Sequence, residues 1–157
     1  MPNLLYLEKQ KTYLILIAAF ILIALVILAL TFFPGVFGAA EPSDAVKLVL
    51  LILALADLLM LWSFSSLTIK ASEKYLIFGF GVFKKRFFWH QIKEAKVENF
   101  HLTNYLGYGI RFGRDGSIAW AARGGLGVRL KTNKRYYFFS TDHPEQLAAL
   151  ISSKLFV

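Results

Sequence analysis

The sequence contains no cysteine. A disulfide framework and any Cys-based zinc or redox site are therefore excluded. Charge of every kind is scarce, at 18% of residues against 57% in the hydrophobic set, whereas an ordinary soluble domain is about a quarter charged. Acidic residues are the scarcer sign, ten Asp and Glu against eighteen Lys and Arg. The signatures of common chemistries are also missing. His90, His101 and His143 do not pair at metal-ligand spacing. Gly124-Gly125-Leu126-Gly127 lacks the Lys-Ser/Thr of a phosphate loop, and no serine sits in a nucleophile elbow. The expectation is a protein that is not an enzyme, with no catalytic residue, metal or cofactor.

What is present is long apolar sequence. Tyr13–Phe33 carries no charge, and as a helix it would span about 31 Å, the thickness of a hydrocarbon core. Pro34-Gly35 stops it. A second apolar run covers residues 45–64, with Lys47 placed to snorkel and Asp57 near its middle. A central Asp costs about 3 kcal/mol, while each Leu, Ile, Val or Phe returns roughly 0.3–0.6, so the segment should insert. The connecting segment 34–44 holds Glu41 and Asp44 but no Lys or Arg. Positive charge gathers on the cytoplasmic side, which puts this loop outside and both termini in the cytoplasm, at a plasma (inner) membrane. A signal peptide is the rival reading, with Gly38-Ala39-Ala40 imitating a cleavage site; the apolar run exceeds the usual core of about 7–15 residues.

After Ser65-Ser66 the apolar period changes to two. Leu67–Ala71, Tyr75–Phe80, Lys85–Gln91, Ile92–Phe100, Gly107–Phe112, Ser117–Arg123, Gly127–Thr132 and Arg135–Thr141 read as strands. Arg114-Asp115-Gly116 is a hairpin signal. Asp142, Pro144 and Glu145 read as N-cap, early-turn proline and capping-box acid of a closing helix, whose stripe is Leu147, Leu150, Ile151 and Leu155. The expected organisation is an N-terminal segment 1–12, spans 13–33 and 45–64, and a domain over 66–157.

Four segments carry a family resemblance: Gly107-Tyr108-Gly109-Ile110-Arg111, Trp120-Ala121-Ala122-Arg123-Gly124, Gly127-Val128-Arg129-Leu130 and Ser140–Leu147. The region from about 66 to 153 resembles bacterial pleckstrin-homology-like (PH-like) membrane proteins. That resemblance implies an α+β membrane protein, a two-helix transmembrane hairpin followed by a PH-like β-barrel or sandwich of about seven strands with a C-terminal helix. By the residues' own pattern, Gly107 and Gly109 share a strand face with Arg111, and glycine there lets a bulky group approach; Trp120 is the candidate to lie over that gap. Packing at a barrel corner is the plainer account.

Residues 65–157 hold fifteen Lys and Arg against six Asp and Glu, so an acidic partner is expected. Lys74, Lys84, Lys85 and Arg86 are the lipid-headgroup candidates, similar to the basic pattern in the first hairpin of eukaryotic PH domains. A solvated face without a partner is the alternative. Asp57, with Ala54 one turn earlier, is a candidate helix contact to a partner or a second copy; ion transfer and a merely tolerated carboxyl also remain open. Basic and aromatic residues interleave at Lys84–Trp89, but alternating aromatics are more simply core, so no nucleic acid is expected. The function expected is a membrane-anchored binding or scaffold module contacting acidic lipid or a protein. The alternative is an accessory subunit assembled through its helices.

Overall fold

The computed structural model describes residues 3–155. The chain forms two compact units, one spanning Tyr13–Ser65, the other made of the N-terminal segment to Thr12 and the chain from Ser66 onward.

The first unit is a helix pair, α1 (Leu14–Phe32) and α2 (Asp44–Phe64), joined through a 3-10 turn at Pro34–Phe37. Both helices are long and apolar enough to cross a membrane. Their ends lie within a residue of the expected boundaries. Pro34 cannot extend the α-helical ladder, and Gly38 closes the turn in the left-handed region. Within the two helices the buried side chains are the small ones of Ala24, Thr31, Ala54 and Ser63, while Leu, Ile and Val cover the outside. A soluble helix pair shows the reverse arrangement.

The second unit holds two sheets. One has the order β1 (Leu4–Lys11), β2 (Ser66–Ser72), β3 (Tyr75–Phe80), β4 (Phe83–Phe88), all antiparallel. The other joins β5 (Ile92–Asn99), β6 (Gly109–Phe112), β7 (Ile118–Ala121), β8 (Leu126–Thr132) and β9 (Tyr136–Ser140) in the order β5-β8-β9-β7-β6. Its β7–β9 pair is parallel. Alternation sets the core: Leu67, Ile69, Leu76, Phe78 and Phe80 from the first sheet are fully buried, as are Val128, Leu130 and Phe139 from the second. The rings of Phe78 and Phe139 stack at 4.4 Å, and Trp120 meets Phe78 edge-on at 5.3 Å. Helix α4 (Pro144–Leu155) buries Leu147 and Ile151 and packs on β5.

Two expectations are corrected, and two local features are added. The segment 1–12 does not stand alone, because Leu4–Lys11 is an edge strand of the domain. The strand expected over Lys85–Gln91 ends at Phe88, and Trp89–Gln91 is a single 3-10 turn. There the Trp89 indole N–H bonds the carbonyls of Ser72 and Glu73, at 3.1 and 3.0 Å, which pulls residue 89 out of the ladder. A short helix, α3 (Leu102–Tyr105), precedes β6; its Tyr105 packs in a cluster with Phe100, Ala119 and Phe138. Gly79 lies within β3. A Cβ there would come within 2.3 Å of the Phe83 carbonyl, so glycine is what lets β4 cross so close.

Candidate functional site: a cationic sheet face and a buried polar latch

Strand β1 is inverted relative to an ordinary amphipathic strand. Glu8 and Gln10 point in, 9% and 2% exposed, while Leu7 is 57% exposed. Buried polar groups need partners, and these find them at the end of β9 and just before α4. The Glu8 carboxylate accepts from Thr141 Oγ1 at 2.5 Å and from the Asp142 N–H at 2.7 Å. It also accepts from the Tyr6 hydroxyl. Gln10 donates to Asp142 Oδ1 at 2.9 Å and accepts from Ser140 Oγ. Ser140 Oγ in turn accepts from the Ala122 N–H at 2.9 Å, and Arg123 pairs with Asp142.

The network sets its own ionisation. Burial, and then the hydrogen bond to Glu8, push the Tyr6 hydroxyl up to about 12. Burial raises the Asp142 carboxyl, but hydrogen bonds from Gln10 and Arg123 outweigh it and hold the group below the ordinary carboxylate range.

The outer face of the four-stranded sheet has a different character. Cross-strand register aligns Lys11 with Ser66, Lys9 with Thr68, Gly79 and Lys84, and Leu7 with Lys70, Ile77 and Arg86. Five cations, Lys9, Lys11, Lys70, Lys84 and Arg86, thus share one face, and all are exposed. Among the described residues this face holds no Asp or Glu, and none of the five cations has a carboxylate partner. Arg86 stacks over the Tyr75 ring at 4.9 Å. Apolar groups sit among the charges: Leu7, the half-buried Ile77, and Phe88 at the far end. The turn between β3 and β4 closes the end of the sheet where the chain leaves at Lys11 and returns at Ser66. Val82 at its tip is 73% exposed and Phe83 44%.

The headgroup candidates are divided by this arrangement. Lys84 and Arg86 lie on the cationic face. Lys85 lies on the opposite side of β4, with its ammonium 5.8 Å from the Phe87 ring and 5.9 Å from that of Tyr137. Lys74 sits in the β2–β3 turn, at the end away from Lys84. Lys9, Lys11 and Lys70 were not among the candidates, because only strand register brings them to Lys84 and Arg86.

The structural motif residues separate too. Trp120 pairs with Ile110 and faces the core, its indole bonded to the Phe83 carbonyl at 3.3 Å, so it does not cover the glycine gap. Arg111 covers it instead: a Cβ on Gly107 would lie 3.4 Å from Arg111 Nε, which donates to the Tyr108 carbonyl at 3.0 Å. Gly109 holds a φ of 90° at the start of β6. Asp142 is not the N-cap of α4. The helix begins at Pro144, and the Asp142 carboxylate is taken by Gln10 and Arg123. Glu145 stands exposed in the first turn.

In the helix pair, Ala54 is buried on α2 and Ala24 on α1. Among the described residues, one oxygen of Asp57, Oδ2, is buried without a hydrogen-bond partner. Thr31 does not supply one, since its hydroxyl bonds the Ile27 carbonyl at 2.8 Å, one turn back on its own helix.

No family model matches the chain, and neither a curated protein nor a solved structure matches it.

Proposed function

We propose that the chain is a membrane-anchored, PH-like binding module whose cationic sheet face engages acidic lipid headgroups at the cytoplasmic surface. The observation that carries this reading is the five-cation, carboxylate-free face with Leu7, Ile77 and Phe88 among the charges. Anionic lipid attracts basic residues near the surface by about 1 kcal/mol each, and exposed apolar groups at the same level gain from the interface. The helix pair supports the anchor: α1 is uncharged, α2 carries Lys47 at its start, and the connection between them holds no Lys or Arg. The pairing of Lys11 with Ser66 supports the placement of both termini on one side. The PH-like reading is supported by the strands themselves. Setting aside the β6–β7 hairpin leaves four antiparallel strands facing three, closed by a C-terminal helix.

The absence of cysteine permits a direct test. A single Val82→Cys label is read in the full chain, in nanodiscs of neutral lipid and of neutral lipid mixed with phosphatidylglycerol. The label is expected to be shielded from an aqueous quencher in the anionic discs at low salt and exposed again at high salt. Equal quenching in both discs would refute lipid engagement.

A second reading, an accessory subunit assembled through its helices, is favoured by the unpartnered Oδ2 of Asp57. A carboxyl oxygen without a donor in an apolar helix pair is costly. Cross-linking in detergent with Asp57→Ala tests it; oligomer ladders identical to those of the wild type would remove the reading.

A further inference from the structure

Lys85 occupies a register position that alternation assigns to the core. It pairs with the fully buried Phe78 and shares its strand side with Phe87. A cation in that position breaks the pattern of the strand, and such breaks mark functional sites. It opens onto a cleft of about 230 Å³ between β4 and the β8–β9 turn. The facing wall presents Asn133 and Lys134, with Phe87 and Tyr137 lining the cleft and Gln91 completing it. Arg86 also borders the cleft, with its guanidinium against Tyr75.

Three features make this cleft an anion site. Among the described residues no Asp or Glu lines it, and neither Lys85 nor Lys134 has a carboxylate partner. The turn that carries Lys134 is tied down: Thr132 Oγ1 donates to the Arg135 carbonyl at 2.8 Å and receives the N–H groups of Lys134 and Arg135, both at 3.3 Å. Gln91 is fixed through its carbonyl oxygen, which accepts from Phe88 N–H at 3.0 Å and leaves the amide NH2 as a donor. Two lysines with amide donors between them suit a compact dianion, and the volume leaves room for a small organic body.

We infer that this cleft binds a phosphomonoester, with its phosphate between Lys85 and Lys134. This does not depend on the lipid reading, because neither Lys85 nor Lys134 belongs to the cationic face; of that face's five cations Arg86 alone borders the cleft. The ligand's source is either a soluble phosphate ester or a lipid with a monoester headgroup.

The test uses the full chain in neutral-lipid nanodiscs, titrated calorimetrically with glycerol phosphate, and in discs containing phosphatidic acid. Saturable binding of free glycerol phosphate, weakened roughly tenfold or more by Lys85→Ala and by Lys134→Ala but unchanged by Lys93→Ala, which removes an exposed charge from β5, is expected for a soluble ligand. Free ester that does not bind, with Lys134→Ala lowering the preference for phosphatidic acid over phosphatidylglycerol, identifies the headgroup. Lys85→Arg, which keeps the charge, should retain binding in either case. Binding to neither probe, or equal losses from Lys93→Ala and Lys134→Ala, would overturn the site.

Discussion

Lys11 and Ser66 are cross-strand neighbours, and the whole helix pair is the connection between them. The apolar unit is thus an insertion into the first β-hairpin of the domain, and the domain contains a strand from each side of it.

Excising the insertion should therefore leave the domain intact. A chain in which residues 12–65 are replaced by Asn-Gly closes the β1–β2 hairpin with a short turn of the type that suits adjacent antiparallel strands. It is expected to fold cooperatively, as read by circular dichroism and thermal melting. The fragment 66–157 lacks β1 and leaves the Ser140 and Thr141 hydroxyl protons and the Asp142 N–H without their acceptors. At about 1–3 kcal/mol for each buried polar group left unsatisfied, it should melt well below the closed chain or fail to fold. Equal melting of the two would disprove the role assigned to β1.

Why β1 escaped the sequence reading follows from the same residues. Strand alternation marks apolar positions as inward, and Leu67, Ile69, Leu76 and Phe78 obey it. In β1 the inward residues are Glu8 and Gln10, and the strand lies beyond two helices from its partner, so neither local pattern nor proximity betrays it. The candidate surface was half legible for a related reason. Lys84 and Arg86 stand two apart on one strand and can be read as a pair, whereas Lys9, Lys11 and Lys70 join them only through register. Trp89 reads as a strand residue by alternation; only the carbonyls of Ser72 and Glu73, brought near by the fold, draw it into a turn.

The latch predicts how stability depends on pH. Asp142 is held below its unfolded carboxylate value, near about 4, so its contribution is present above that pH and lost as pH falls through the lower, folded value. Tyr6 behaves oppositely. Its hydroxyl rises from 10.0 to about 12 in the fold, so its contribution is present below pH 10 and lost as pH climbs through about 12. Melting of the full chain in detergent against pH should show both limbs. Asp142→Asn should flatten the acid limb and Tyr6→Phe the alkaline one. A Tyr6→Phe profile matching the wild type above pH 10 would show that neither burial nor the Glu8 carboxylate raises the Tyr6 hydroxyl.

Two glycines separate steric from conformational need. At Gly79 a Cβ would meet both the Phe83 carbonyl and, at 2.4 Å, the Lys84 Cα. Backbone cannot yield as a side-chain tip does, so Gly79→Ala should cost about 3 kcal/mol or more. Gly116 has a φ of 77° but open space around it, and Gly116→Ala should cost only about 1–2 kcal/mol, the penalty of the left-handed backbone. Denaturation of both variants checks the order, and a Gly79→Ala protein as stable as Gly116→Ala would contradict the close approach of β4 to β3.

The cationic face predicts a graded electrostatic response. Exposed charges act nearly independently when each faces the same charged plane, so neutralising Lys9, Lys11, Lys70 or Lys84 to Gln, or Arg86 to Gln, should each lower the preference for anionic over neutral discs by about 1 kcal/mol at low salt. The steps should shrink together as salt rises, because the Debye length falls to about 3 Å at 1 M. The preference is read as the shift in quenching of the Val82→Cys label between the two discs. Lys93→Gln is the control: Lys93 is exposed on β5, in the other sheet, and removes the same charge from the molecule. If Lys93→Gln lowers the preference as much as Lys70→Gln, net charge alone attracts the domain and the face has no special role. If only the five residues of the first sheet matter, that sheet is the side that meets the lipid.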